Sequence, residues 1–117
     1  MAAPIGANTP GGKIYQQFCA ACHMPNASGV PGMQPALAGS AVVAGDPSRL
    51  IEVLLRGPAA VLPADREKFS NVMPPFAILR DANLAAVINY LRRNYAPGAA
   101  EVTAAQVATL RARMTQP

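Results

Sequence analysis

The chain has 117 residues, 51% of them apolar, and a formal net charge of +4. This length predicts a single domain at residues 9–117, preceded by a flexible arm of small residues at 1–8. The charged residues form no run of like sign and are not interleaved with aromatic residues, so we expect no nucleic-acid binding. We expect instead a mild attraction to acidic protein surfaces. No stretch approaches the roughly 18 apolar residues of a membrane span, so no transmembrane segment is predicted.

The first predicted helix leads into a cysteine pair. Thr9 and Pro10 are typical of a helix start, with the threonine as N-cap and proline in the first turn. Tyr15 and Phe18 fall on the same helical face as the first cysteine. The sequence Cys19-Ala20-Ala21-Cys22-His23 is therefore expected at the C-terminal end of this helix.

Cys19, Cys22 and His23 form a C-x-x-C-H motif, which is typical of covalent attachment of a c-type haem. Two thiols on one helical turn can each add to a haem vinyl group, and the adjacent histidine brings an imidazole to the iron. A thioredoxin-like redox motif, a structural zinc site and a disulfide are alternatives. The first lacks a βαβ context, the second lacks ligands because the chain has two cysteines and one histidine, and the third gives the histidine no role.

Beyond the motif, residues 24–45 are rich in proline, glycine and alanine and predict a long irregular loop. We expect Pro35 and Leu37 to face inward from it. Asp46-Pro47 then starts a short apolar helix that Gly57-Pro58 ends, and irregular structure returns at residues 59–75.

Two further helices complete the predicted structure. Asp81 caps the first, which ends at Pro97-Gly98, and the second begins at Thr103 with Gln106 in a capping box. No internal repeat and no strand are predicted. The fold class is therefore all-α with long loops.

Because His23 is the chain's one histidine, a second axial ligand would be a methionine or a lysine, unless the position is open. Met24 is adjacent to His23 and cannot reach the opposite face of a haem, which leaves Met33 and Met73 as the better placed methionines. Met73 is favoured, since the two prolines after it fix the loop backbone. Ligation by Met33, an open sixth position, and a Met73 that only fills the core remain alternatives.

The region from about residue 9 to residue 95 resembles class I monohaem cytochromes c. Gly11, Tyr15 and Cys19 match the family's glycine, aromatic residue and first cysteine at four-residue intervals. The resemblance implies four to five short helices with long loops wrapped around one haem c. That haem would be attached through the two cysteines and ligated by His23 and Met73.

Two further segments carry the resemblance. The loop at residues 34–39 is similar to the family loop whose proline carbonyl accepts the proton of the ligand histidine. This similarity assigns that role to Pro35 and assigns haem packing to Leu37. The segment at residues 87–91 is similar to the family's C-terminal helix, which implies a contact between Gly11 and Tyr90.

The segments at residues 72–76 and 55–58 are similar to a narrower group: bacterial cytochrome subunits or fused haem domains serving periplasmic dehydrogenases, copper nitrite reductases and terminal oxidases. The resemblance implies a one-electron carrier that is not itself an enzyme, with a redox protein as donor and another as acceptor. It would act as a monomer or as a tightly bound subunit of a hetero-complex. A haem enzyme or gas sensor with an open sixth position is the rival interpretation.

Location and contact surface follow from the same interpretation. Haem attachment in comparable families takes place on the export side of the membrane, so we expect a periplasmic protein whose leader was removed. Electrons would pass through an exposed haem edge. We expect apolar residues around that edge, namely Met24, Pro25, Val30, Pro74 and Phe76.

Overall fold

The computed structural model describes residues 4–114. Over this range the backbone forms helices and no strand, with one isolated antiparallel bridge between Val30 and Gln34. The helices are α1 (Pro10–Phe18), α2 (Ala20–His23), α3 (Ala41–Ala44), α4 (Pro47–Arg56), α5 (Pro58–Val61), α6 (Asp81–Tyr95) and α7 (Ala104–Met114). The all-α prediction is confirmed. No helix in this part of the chain is long and apolar enough to cross a membrane.

The described residues contain seven helices, against the four to five predicted, because α2, α3 and α5 are single turns of four residues. Ser40 caps α3 by accepting from two amides of its first turn, and Gly45 ends it. Gly57, at φ +87°, separates α4 from α5. Turns this short carry little apolar periodicity, so the sequence pattern does not show them.

The longer helices begin close to the predicted caps. Thr9 and Asp46 cap α1 and α4 through their side-chain oxygens. Thr103 and Gln106 form the predicted capping box, since each side chain accepts from the backbone N–H of the other. Asp81, predicted as a cap, is instead the first residue of α6, where its carboxylate still favours the positive end of the helix dipole.

The helix predicted to run through the cysteine pair breaks at Cys19, whose φ of −120° is not helical. Hydrogen bonding is nevertheless continuous across the break. The Cys19 N–H donates to Tyr15 O at 2.9 Å, and Cys19 O accepts from the His23 N–H at 2.9 Å. The break therefore turns α2 relative to α1 without leaving these polar groups unpaired.

The centre of the fold is the crossing of α1 and α6. Gly11 is buried there, and a Cβ at this position would overlap the carbonyl group of Ala86 and lie 3.1 Å from the Tyr90 Cβ. The rings of Tyr15 and Tyr90 pack beside it with their centroids 5.5 Å apart. The implied contact between Gly11 and Tyr90 is thus present, and only glycine allows so close an approach.

The segment before α1 contacts α6 as well. The Ile5 N–H donates to Asn94 Oδ1 at 2.7 Å, and Asn94 Nδ2 donates to Ile5 O at 2.8 Å. Gln16 Nε2 donates to Ala7 O at 3.0 Å. Residues 1–3 lie outside the described residues, and the flexibility of the arm stays a prediction.

A buried arginine joins three separate segments. Arg92 on α6 is 3% exposed, and its guanidinium donates to Val43 O at 3.0 Å, to Ala100 O at 2.6 Å and to Gly45 O. The end of α3 and the turn before α7 are therefore held by one cation. Its partners are carbonyl oxygens distant in sequence, so the sequence pattern gave no indication of this role.

We expect Arg92→Met to lower the free energy of unfolding by about 3–5 kcal/mol, because buried carbonyls lose charged donors. Chemical denaturation of the haem-loaded protein measures this. Arg93→Met is the matched control. Arg93 is exposed and lies 3.6 Å from the carboxylate of Glu101, so this substitution should lower the free energy of unfolding by no more than about 0.5 kcal/mol. Equal losses in both variants would contradict the role of Arg92.

Candidate functional site

The best defined contact of the site belongs to His23, which is buried. Its Nδ1 lies 2.8 Å from the carbonyl oxygen of Pro35. Because a carbonyl oxygen can only accept, Nδ1 carries the proton and Nε2 keeps a free lone pair. The imidazole is thus held in the tautomer that a metal ligand needs, by the residue that the resemblance had assigned to this task.

The loop after His23 folds back onto the cysteine motif. The Gly29 N–H donates to His23 O at 2.9 Å, and the Tyr15 hydroxyl donates to Met24 O at 2.6 Å. Gly29 has φ +66°, and a Cβ there would lie only 2.6 Å from Pro35 O and 2.5 Å from its carbonyl carbon. A glycine is therefore required at residue 29 for the Pro35 carbonyl to sit where it meets the imidazole.

The two cysteines lie on the same turn, since the Cys22 N–H donates to Cys19 O at 3.2 Å, and they are not joined in a disulfide. Cys19 is half-buried against the hydrophobic core, and this burial raises the pKa of its thiol to about 11. Cys22 is exposed. Among residues 4–114, no cluster of three or more histidine, cysteine or carboxylate side chains is placed to hold a metal ion. Neither sulfur is taken up by a disulfide between the two cysteines.

Met73 and Leu37 both lie half-buried against the same core that Cys19 contacts. A ring contact joins the two halves of the site: Phe18, just before the cysteine motif, and Phe76, just after the methionine, have centroids 6.2 Å apart in an edge-on arrangement. By contrast, Met33 is 44% exposed. Of the two candidate methionines, Met73 is the one packed into the core beside the motif.

Hydrogen bonds tie the Met73 segment to the loop that follows His23. The Asn71 N–H donates to Met33 O at 3.0 Å, and Asn71 Nδ2 donates to Gln34 Oε1 at 2.5 Å. Gln34 is buried and directly precedes Pro35. Sequence reasoning missed both polar residues, because an isolated asparagine and glutamine in loops have no periodicity that would pair them.

The predicted apolar rim is only partly exposed. Met24, Pro25 and Pro74 are exposed, whereas Val30 and Phe76 are half-buried. Two residues that were not predicted are far more open: Val72 is 85% exposed and Ile78 is 84% exposed. Large aliphatic side chains left this open on either side of Met73 are candidates for a contact surface.

The side chains fit a covalent haem. The two cysteines are not joined to each other, and the adjacent His23 keeps its Nε2 lone pair. A half-buried methionine lies in the segment whose Phe76 packs against Phe18 of α1. Soft sulfur and imidazole nitrogen are the axial donors of high-potential haem proteins. Cys19, Cys22 and His23 are therefore the side chains that would hold a c-type haem.

Comparison with known proteins agrees with this assignment. Residues 9–94 match the family model for cytochrome c. Cytochrome c-552 of Thermus thermophilus is 38% identical over 120 residues, which covers 95% of this chain and 80% of that protein. The chain belongs to the cytochrome c family. It is an electron carrier of the kind that binds a c-type haem covalently, through Cys19 and Cys22.

Other relatives are cytochrome subunits of dehydrogenases. The cytochrome c subunit of the quinone alcohol dehydrogenase of Gluconobacter oxydans is 38% identical over 112 residues, covering 91% of this chain and 23% of that subunit. The cytochrome c subunit of gluconate 2-dehydrogenase of Pantoea cypripedii is 37% identical over 106 residues, covering 86% of this chain and 24% of that subunit. The chain thus spans about a quarter of the length of either subunit.

We expect Gly29→Ala to destabilise the haem-loaded protein by about 1–3 kcal/mol more than Gly32→Ala does. Both glycines have positive φ, but a Cβ at Gly32 meets nothing within 4 Å, whereas one at Gly29 pushes the Pro35 carbonyl away from His23. Chemical denaturation gives the difference. The imidazole N–H proton resonance of the reduced protein should shift only in Gly29→Ala, and an unchanged resonance would contradict the spacing argument.

Proposed function

We propose that the protein transfers single electrons between redox proteins, with His23 and Met73 as the axial ligands of its haem. The observation that carries this proposal is the hydrogen bond from His23 Nδ1 to Pro35 O, which leaves Nε2 free to bind a metal. When one ring nitrogen of an imidazole donates such a hydrogen bond, the ring is held in one tautomer and one orientation for the other nitrogen to bind a metal. His23 is therefore prepared as a permanent ligand.

Met73 is proposed as the second ligand because its side chain is half-buried against the core and follows a segment anchored by Asn71. Pro74 and Pro75 carry no amide N–H, and each fixes its own φ, so the backbone next to the sulfur has little freedom. Leu37, packed against the same core, would cover the haem on the side of the Pro35 loop.

When bound, the haem supplies a reversible one-electron couple. The chain's contribution is to fill both axial positions and to keep the surroundings apolar. Ligation by histidine and methionine raises the reduction potential relative to two histidines, since the thioether favours the ferrous state. With both positions filled by protein atoms, no site is left for a substrate. We therefore propose that the protein is a carrier and not an enzyme.

We propose that either the electron donor or the electron acceptor is a dehydrogenase or another oxidoreductase of the periplasm. Support comes from the relatives that are cytochrome subunits of quinone alcohol and gluconate dehydrogenases. A net charge of +4 favours encounter with an acidic partner surface. The exposed Val72 and Ile78, together with Met24, offer apolar side chains for contact with a partner, and transient redox complexes need only small interfaces.

The same relatives favour a second candidate, in which the chain is a tightly held subunit or domain of a dehydrogenase. Size-exclusion chromatography of the protein purified from its own cells separates the two. A free shuttle elutes as a monomer, whereas a bound subunit elutes with a large dehydrogenase.

Replacing Met73 tests the axial assignment. In Met73→Ala the haem should stay attached, the reduction potential should fall, and the far-red sulfur-to-iron charge-transfer band of the oxidised protein should disappear. Met33→Ala, the same change at the exposed alternative, should leave the band intact. A band that survives in Met73→Ala would mean that another methionine binds the iron, with Met33 as the alternative. A wild-type protein that lacks the band, or whose ferrous form binds carbon monoxide readily, would favour the sensor or enzyme interpretation.

Replacing the cysteines tests the attachment. In the double variant Cys19→Ala and Cys22→Ala, acid–acetone extraction of the denatured chain should remove all the haem, whereas none should leave the wild type. Each single variant should keep the haem through one thioether. Haem that resists extraction from the double variant would contradict attachment at this motif.

A further inference from the structure

The segment carrying Met73 is fixed at its two ends and not in its middle. Among the described residues, no hydrogen bond involves the backbone of residues 72–75. On the N-terminal side, Asn71 is bound to the loop after His23. On the C-terminal side, the Phe76 N–H donates to Leu54 O at 2.7 Å, and the Leu79 N–H donates to Phe76 O at 3.0 Å. The position of the sulfur therefore depends on these two anchors.

One side chain of the last helix completes the C-terminal anchor. Arg111 on α7 donates from Nη1 to Ala77 O at 2.5 Å, from Nη2 to Leu79 O at 2.5 Å and from Nε to Asp81 Oδ1 at 2.7 Å. The three oxygens belong to residues 77–81, which run from just after Phe76 to the first residue of α6. A single guanidinium thus holds the whole turn that follows Met73 and Phe76.

The helix that supplies Arg111 lies beyond residues 9–94, the part that matches the cytochrome c family model. Val107 and Leu110 are buried where α7 packs against α4 and α6. Leu54, whose carbonyl accepts from Phe76, belongs to α4. Both parts of the C-terminal anchor are therefore carried by helices in direct contact with each other.

We propose that Arg111 is a positioning residue for the axial methionine, and that α7 serves as a strap which slows the departure of Met73 from the iron. This inference rests on the proposed ligation by Met73. Arg111 holds the turn through the geometry of its hydrogen bonds more than through its charge. Arg111 and Asp81 are each about one-third exposed, so their ion pair alone is weak. The planar guanidinium of arginine can donate to three oxygens at once in fixed directions. The ammonium group of a lysine, on a flexible chain, does not fix the directions of its hydrogen bonds in this way.

The rate at which free imidazole displaces the sixth ligand of the oxidised protein tests this proposal. Displacement requires the methionine to leave first, so a looser anchor makes binding faster. We expect Arg111→Gln to bind imidazole about tenfold faster than wild type, and Arg111→Lys to fall between them. Arg113→Gln makes the same change at an exposed residue of the same helix and should bind at the wild-type rate.

A second control separates positioning from general loss of stability. Val43→Ala opens a cavity on α3, which among the described residues makes no hydrogen bond to residues 71–79, and should lower stability without changing the imidazole rate. Amide hydrogen exchange gives a readout that does not depend on the iron: residues 76–79 should exchange faster in Arg111→Gln than in Arg113→Gln. Equal imidazole rates and equal exchange in these two variants would overturn the role of Arg111.

The outcomes distinguish this inference from the function on which it rests. A wild-type protein without the sulfur-to-iron band contradicts ligation by Met73 and this proposal with it. A wild type that has the band, combined with an Arg111→Gln variant that behaves like wild type, contradicts only the positioning role. An imidazole rate that rises as much in Val43→Ala as in Arg111→Gln would mean that lost stability is the cause, and would also contradict it.

Discussion

The hydrogen bond between His23 Nδ1 and the Pro35 carbonyl is the contact on which the site depends. It selects the tautomer of the imidazole, fixes the plane of the ring and ties the loop after the cysteine motif to the helix that carries the motif. Gly29 is needed to make room for the acceptor, and Gln34 connects the same loop to Asn71 and so to the methionine segment. The loop after His23 and the segment that carries Met73 thus share one chain of contacts.

Much of this chain has no regular secondary structure, so something other than helix and sheet hydrogen bonds must order it. Two arginines do this at separate places. Arg92, buried and bonded to three carbonyls, joins α6 to the end of α3 and to the turn before α7. Arg111 holds the turn before α6. In both cases a planar cation with several donors binds backbone carbonyls from separate parts of the chain.

The sequence was enough to predict the haem motif, the longer helices and their caps, because each depends on residues that are neighbours in the chain. The roles of Pro35 and Met73 came from a family resemblance and from the prolines beside the methionine. What could not be predicted is what depends on distant residues. Neither the partners of Arg92 nor those of Arg111 follow from any local pattern, and the break at Cys19 reflects how α2 must turn to bring its histidine against a loop.

The crossing of α1 and α6 also determines what a single proteolytic cut between these helices would do to the fold. Gly11 and Ala86 touch although about seventy-five residues separate them, so the intervening chain is one large closed loop with a high entropic cost of closure. A protease that cut the exposed turn at residues 63–65 would leave α1 on one fragment and α6 on the other. Their packing would then be an association between two molecules, and the integrity of the fold would depend on concentration.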